Sequence, residues 1–143
     1  MKEIFYLNSE TLPTIPVPHD CVIKEIHVDQ QYLFFVFEDD ISGHDAIKYI
    51  NPGAKSLIIR CHLIDEDAFS VYKWNKPDPL FHKNGYYECL DNSQFIKSAK
   101  SSIEYLYHNV GFCSIIIKLF SDETILLDAE ADYLEYEWIE RLS

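Results

Sequence analysis

"ILLDAEADYLEYEWIE", residues 125–140, holds two apolar phases in one run. Ile125, Leu127 and Ala129 share one parity, and Leu134, Tyr136 and Trp138 share the other. Alternate residues of a strand point to opposite faces, so an unbroken strand would put one of these sets in water. One inserted residue repairs the phase, which is what a β-bulge supplies. The stretch therefore predicts one long strand, bulged near Asp132.

The same stretch alternates Asp128, Glu130 and Asp132 with Ala129 and Ala131. On a strand these carboxylates form a row with about 6.6 to 7 Å between neighbours. Like charges so placed repel, which suits a solvated face or a cationic partner. Calcium takes six to eight oxygens from a sharply folded loop, and a straight strand offers no such cage. Nothing in the spacing demands the paired carboxylates of a glycosidase.

Upstream, strand-like runs recur. "EIFYL" (3–7) reads as a short first strand, and "TLPTIPVPHD" (11–20) as an extended, irregular connection, because proline lacks a donor and fixes φ. "CVIKEIHV" (21–28) and "YLFFVFE" (32–38) flank a hairpin-sized gap. In the first, Val22, Ile26 and Val28 share a face with Lys24. In the second, Leu33, Phe35 and Phe37 oppose Tyr32, Phe34 and Val36. Residues 39–55 read as a long loop with a helical turn near Ala46–Tyr49. "SLIIRCHLI" (56–64) alternates, with Leu57, Ile59, Cys61 and Leu63 inward and Arg60 and His62 outward. "AFSVYKW" (68–74) and "YYECL" (86–90) are further strands around a proline-bearing loop at 75–85. Residues 91–108 fit either one helix or a short helix and a strand. The preferred reading is a helix near 92–99, then a hairpin that turns at "NVG" into "FCSIIIKLF" (112–120).

The sum is a mainly β chain: an antiparallel sandwich or open barrel of about eight strands with one short helix, in a single domain over 1–143. A chain of 143 residues buries roughly 68% of its unfolded surface and needs no staples. Its 15% aromatic content suits pleated, half-buried surfaces. Tyr72, Trp74, Tyr86, Tyr87, Tyr105, Tyr107, Tyr133, Tyr136 and Trp138 are expected to pack between sheets, with a groove or interface as the other use.

Twelve basic against 24 acidic residues give a net charge of -12. Phosphate backbones and anionic lipids repel such a field, so nucleic acid and membrane are excluded as partners, and a basic protein surface is favoured. Two more acidic clusters, Glu38-Asp39-Asp40 and Asp65-Glu66-Asp67, fall at strand ends and would form a negative edge if they share a rim. The binding face is accordingly expected among Glu38, Asp39, Asp40, Asp65, Glu66, Asp67, Asp128, Glu130 and Asp132.

Cysteines 21, 61, 89 and 113 form no CxxC pair, and no leader or membrane span is evident, which predicts a cytoplasmic chain with reduced thiols. "HDC" (19–21) and "CH" (61–62) invite a nucleophile or zinc reading. A reactive thiol needs a base in reach and a lowered pKa, and structural zinc draws on closely spaced ligand pairs. Cys21 reads better as the buried start of a strand. Any catalytic role would fall to His19, Cys21, His44 or His62; no metal site and no cofactor are predicted. Phosphate-binding loops, nucleophile elbows and HExxH are absent from the sequence.

In size, charge and β content the chain resembles small acidic cytoplasmic bacterial proteins, immunity proteins that neutralise toxins among them. The likeness implies a non-catalytic binding protein and brings no residue roles. The alternatives are an enzyme or ligand binder with a pocket in the sandwich or barrel mouth, and self-association through a strand edge near the C-terminus.

Overall fold

The computed structural model describes residues 1–81, 83–99 and 102–142. Position 82 of the expected 75–85 loop and positions 100–101 of the ambiguous stretch lie outside them. In chain order the elements are β1 (Lys2–Tyr6), β2 (Val22–Asp29), β3 (Tyr32–Phe37), α1 (Asp45–Ile50), β4 (Ala54–Leu63) and β5 (Phe69–Asn75). Then follow β6 (Tyr86–Leu90), α2 (Asn92–Ser98), β7 (Ile103–Gly111), β8 (Ser114–Ser121) and β9 (Glu123–Glu140). The chain is mainly β, with 54% strand and 9% helix.

All pairings are antiparallel and belong to one sheet organised on β9. Along one edge of β9 run β4 and then β5, with Cys61 opposite Leu134 and Val71 opposite Leu127. Along the other run β1 and β8, with Phe5 opposite Leu134 and Ile117 opposite Leu127. The bulge is where the apolar phase predicts it. His62 pairs with Tyr133 and Leu63 with Ala131, so Asp132 is the extra residue. Ile125, Leu127, Ala129 and Ala131 on one side of it, and Leu134, Tyr136 and Trp138 on the other, are all buried.

Of the two expected architectures the barrel, not the sandwich, is observed. The path β4-β3-β2-β7-β8-β9 returns to β4. Its shortest rung is β2–β7, where only Val22–Glu104 and Ile23–Ile103 pair. The proline-bearing segment fills in beside it. Tyr105 N–H donates to Cys21 O, and Asp20 N–H to Tyr105 O (both 2.9 Å). Asp20 takes a left-handed φ of 66°, which Asp tolerates better than most residues. Ile15 and Pro18 are buried against the barrel.

Four local readings change. In β2 the buried residues are Ile23 and Ile26, while Val22 is half-buried and Val28 exposed. The register shifts between Ile23 and Glu25, a second bulge that reverses parity. Two short helices form rather than one, because the turn expected near 46–49 extends to six residues and buries Ile47. The β7–β8 hairpin turns at Phe112-Cys113 and not at "NVG", which gains the pairs Asn109–Ile116, Val110–Ile115 and Gly111–Ser114. Cys113 adopts a φ of 51° there. Among the aromatics, Tyr105, Tyr136 and Trp138 are core, but Tyr86, Tyr87 and Tyr107 face solvent.

Helix α2 matches its reading. Asp91 caps it by accepting from Gln94 N–H at 3.0 Å, and Phe95 and Ala99 face the core. Gly85, which leads into β6, has a φ of 73°, and a Cβ there would meet Trp74 at 2.6 Å. Both backbone and space demand glycine.

Candidate docking surface

Beyond the bulge, Tyr133, Glu135 and Glu137 point outward, and the strand registers align them with residues far away in sequence. One cross-strand row is Tyr6–Tyr133–His62–Tyr32. The next is Ile4–Glu135–Arg60–Phe34–His27, and a third is Lys2–Glu137–Ile58–Val36–Glu25. Directly opposed residues are the units that stabilise a sheet, so these rows order the surface of five strands.

The first row is aromatic. The His62 ring stacks on Tyr133 (centroids 4.7 Å apart, 11° between planes) and meets Tyr32 at 4.9 Å. The Tyr32 and Tyr133 hydroxyls share a hydrogen bond of 2.5 Å, and Tyr6 lies 5.9 Å from the Tyr133 ring. The bulged Asp132 takes His62 Nδ1–H at 2.6 Å, which fixes the imidazole against Tyr133. The bond to Tyr32, then desolvation, then the charges of Tyr32 and Asp132 raise the Tyr133 pKa above that of a free phenol.

The second row is held by Arg60. Its guanidinium lies 3.2 Å from Glu135 and 2.7 Å from Glu137, and 5.4 Å from the centre of the Phe34 ring. The Arg60 and Glu135 side chains are only about one-fifth exposed (20% and 19%). A single cation thus joins two carboxylates that would otherwise repel. His27 stacks on the far side of the row, 4.5 Å from Phe34.

The acids named from sequence separate into three places. Asp65, Glu66 and Asp67 form the β4–β5 turn beside Glu130, where Ile64 N–H donates to Glu130 O and Glu130 N–H to Ala68 O. This group borders the aromatic row, because His62 lies just before it on β4 and Asp132 just after Glu130 on β9. Glu38, Asp39 and Asp40 lie at the other end of the barrel, since β3 and β4 are antiparallel and their C-terminal ends point apart. No shared rim forms. Cations already attend that second group. Lys24 pairs with Asp39 at 2.6 Å and holds its carboxyl below the usual range, and Ser42 does the same for Asp40 through its hydroxyl and N–H. Asp128 is elsewhere again, outward over the first half of β9 between Ser70 and Ile116. Glu135, Glu137, Arg60 and Tyr6 did not figure among the sequence candidates, although the apolar phase of β9 already turns 133, 135 and 137 outward.

Of the reactive candidates His19 and His44 line one depression, and Cys21 and His62 do not join them. His19 Nδ1–H donates to Leu106 O at 2.5 Å, and Nε2 lies 3.4 Å from Asp20. Cys21 is buried behind it, its thiol 3.8 Å from His19 O. Burial, with Asp20 and Glu38 adding, pushes that thiol up to about 12. Cys61 points into the core, where burial also raises it to about 12, while its neighbour His62 points out. His44 and Asp45 line that depression with His19 and Asp20. Among the described residues, no three His, Cys, Asp or Glu side chains are placed to hold a metal ion. A depression of mixed polarity opens between α2 and the ends of β5, β7 and β9, with Leu90, Phe95, Ala99, Ile103 and Ile125 on its floor and Ser98, Ser121, Asp122 and the Lys73–Glu123 pair around them. His19, Cys21, His44 and His62 lie away from it. No described helix is long and apolar enough to cross a membrane.

A scan against protein-family models returns no match, and searches among curated proteins and among solved structures return none either.

Proposed function

We propose that this chain is a small acidic binding protein without catalytic activity, which docks a basic protein partner on the outer surface over the second half of β9. One observation carries this reading: the Tyr6–Tyr133–His62–Tyr32 row, ordered by register and ring contacts and bordered by Asp65, Glu66, Asp67 and Glu130. Aromatic anchors supply contact area at low entropic cost, and a carboxylate border raises the encounter rate with a cationic surface. An immunity-type inhibitor of a basic toxin domain is one concrete form. The net charge of -12 argues against nucleic acid and anionic membrane as partners. Four free cysteines suit a reducing, cytoplasmic setting. The other reading, an enzyme or ligand binder that uses His and Cys in a barrel pocket, has less support. The depression beside α2 and the His and Cys candidates are in different places, and the buried thiols are held protonated.

The test uses the full chain, immobilised, with extract as the source of basic proteins. A captured protein is identified, purified and titrated against the wild type and the variant Glu66→Lys/Asp67→Lys/Glu130→Lys at two salt concentrations. The expected result is an association rate about tenfold lower in the variant and a weaker salt dependence. Equal binding by wild type and variant, or capture of no basic protein, overturns the reading.

A further inference from the structure

Before the bulge, the outer surface has another character. Its registers give the rows Cys89–Tyr72–Leu126–Lys118–Tyr107 and Ser70–Asp128–Ile116–Asn109. The row below them, Thr124–Phe120–Glu104, adds an exposed phenylalanine and a rim carboxylate. Tyr107, Phe120 and Ile116 are 55%, 41% and 38% exposed. In a chain of net charge -12, the two central rows carry one lysine and one aspartate, and neither takes an ion-pair partner among the described residues. Exposed aromatic and aliphatic side chains gathered on a surface of low net charge mark an association site.

We propose that a second copy of this chain covers this surface. The charges select that occupant. Lys118 lies opposite Leu126 and Asp128 opposite Ile116, so the two charges sit on a diagonal of adjacent strands, β8 and β9. A two-fold axis in the plane of the face, bisecting that diagonal, sets each Lys118 against the Asp128 of the other copy. The same axis passes close to Leu126 and Ile116, so each meets its own counterpart. An isologous contact requires this kind of self-complementarity. A basic partner would oppose Lys118 and an acidic one Asp128, whereas a second copy matches both. This inference is independent of the docking surface beyond the bulge.

Sedimentation equilibrium of the full chain across a concentration series tests it. The wild type is expected to rise from 16.8 kDa toward twice that mass. Lys118→Glu alone or Asp128→Lys alone turns both cross-pairs into like-charge contacts and raises the dimer dissociation constant about tenfold or more. The double exchange Lys118→Glu/Asp128→Lys restores the wild-type curve. All three variants change outward side chains, and matching circular dichroism verifies the fold. A wild type that stays at the monomer mass, single variants that associate as the wild type does, or a double variant no better than the singles each overturns the proposal.

Discussion

Residues 125–129 of β9 pair with both β5 and β8, and residues 133–137 pair with both β4 and β1. Inward, both halves present buried apolar side chains to one core. Outward they differ. The first half shows Leu126 and Asp128 among Tyr72, Ile116 and Lys118, with little net charge. The second shows Tyr133, Glu135 and Glu137 locked to His62 and Arg60 by stacking and ion pairs. One strand thus supports two unlike surfaces, and the residue that divides them is the bulged Asp132. The difference teaches that a bulge does more than re-aim hydrophobic residues. It also decides which polar residues become neighbours, because the pairing partners on both edges change around it, from β5 to β4 by Ala131 and from β8 to β1 by Tyr133.

The largest expected effect comes from removing that divider. Deletion of Asp132 forces one half of β9 out of phase with the core, so that either Glu135 and Glu137 face inward while Leu134, Tyr136 and Trp138 face water, or Asp128 and Glu130 face inward while Ile125, Leu127 and Ala129 face water. Burying an uncompensated carboxylate costs several kcal/mol, a large part of the roughly 5–15 kcal/mol that holds a domain. The deletion is expected to abolish the cooperative urea transition followed by tryptophan fluorescence. A wild-type midpoint would mean that β9 does not need its extra residue.

That divider was legible in the sequence because each half of β9 has one clean apolar parity. The same holds for β4, where Leu57, Ile59, Cys61 and Leu63 are all inward. The bulge in β2 was not legible, since Val22, Ile23, Ile26 and Val28 occupy both parities and only the partner strand chooses between them. Nor was the aromatic row. Residues 6, 32, 62 and 133 come from four strands, and no local pattern records that their registers coincide. The acidic clusters were visible as composition, but their separation depends on strand direction at the ends of β3 and β4.

A smaller effect measures how much the outer contacts matter in each half. Arg60→Met leaves Glu135 and Glu137 facing each other, both partly buried. It is expected to lower the urea unfolding free energy by about 1–2 kcal/mol. Lys118→Met, at a protein concentration low enough to keep the chain monomeric, removes a charge without a partner and is expected to stay within about 0.5 kcal/mol of the wild type. Equal losses at the two sites would erase the contrast between the halves.

The smallest effect concerns the interior, where the halves differ more quietly. The first half contributes only hydrocarbon: Ile125, Leu127, Ala129 and Ala131. The second contributes Tyr136, whose hydroxyl donates to Pro16 O at 2.6 Å. Beside it, His108 Nε2–H donates to Ile15 O at 3.0 Å and Nδ1 accepts from the Tyr105 hydroxyl, so the proline-bearing segment is held by buried polar groups. Burial lowers the His108 pKa below its ordinary 6.5, and the bond to Ile15 O only partly opposes this. The folded protein therefore keeps His108 neutral while the unfolded chain takes up a proton near that value. The resulting stability is complete above the unfolded pKa and is lost as pH falls through the folded one, because the unfolded state then binds more protons. His108→Gln keeps a donor for Ile15 O and removes the titration. It is expected to be less stable than the wild type at neutral pH, with the gap narrowing as pH falls from about 7.5 to 5. A gap that stays constant across that range would mean that His108 is no harder to protonate in the barrel than in the unfolded chain, and that the polar interior beside Tyr136 is open to water.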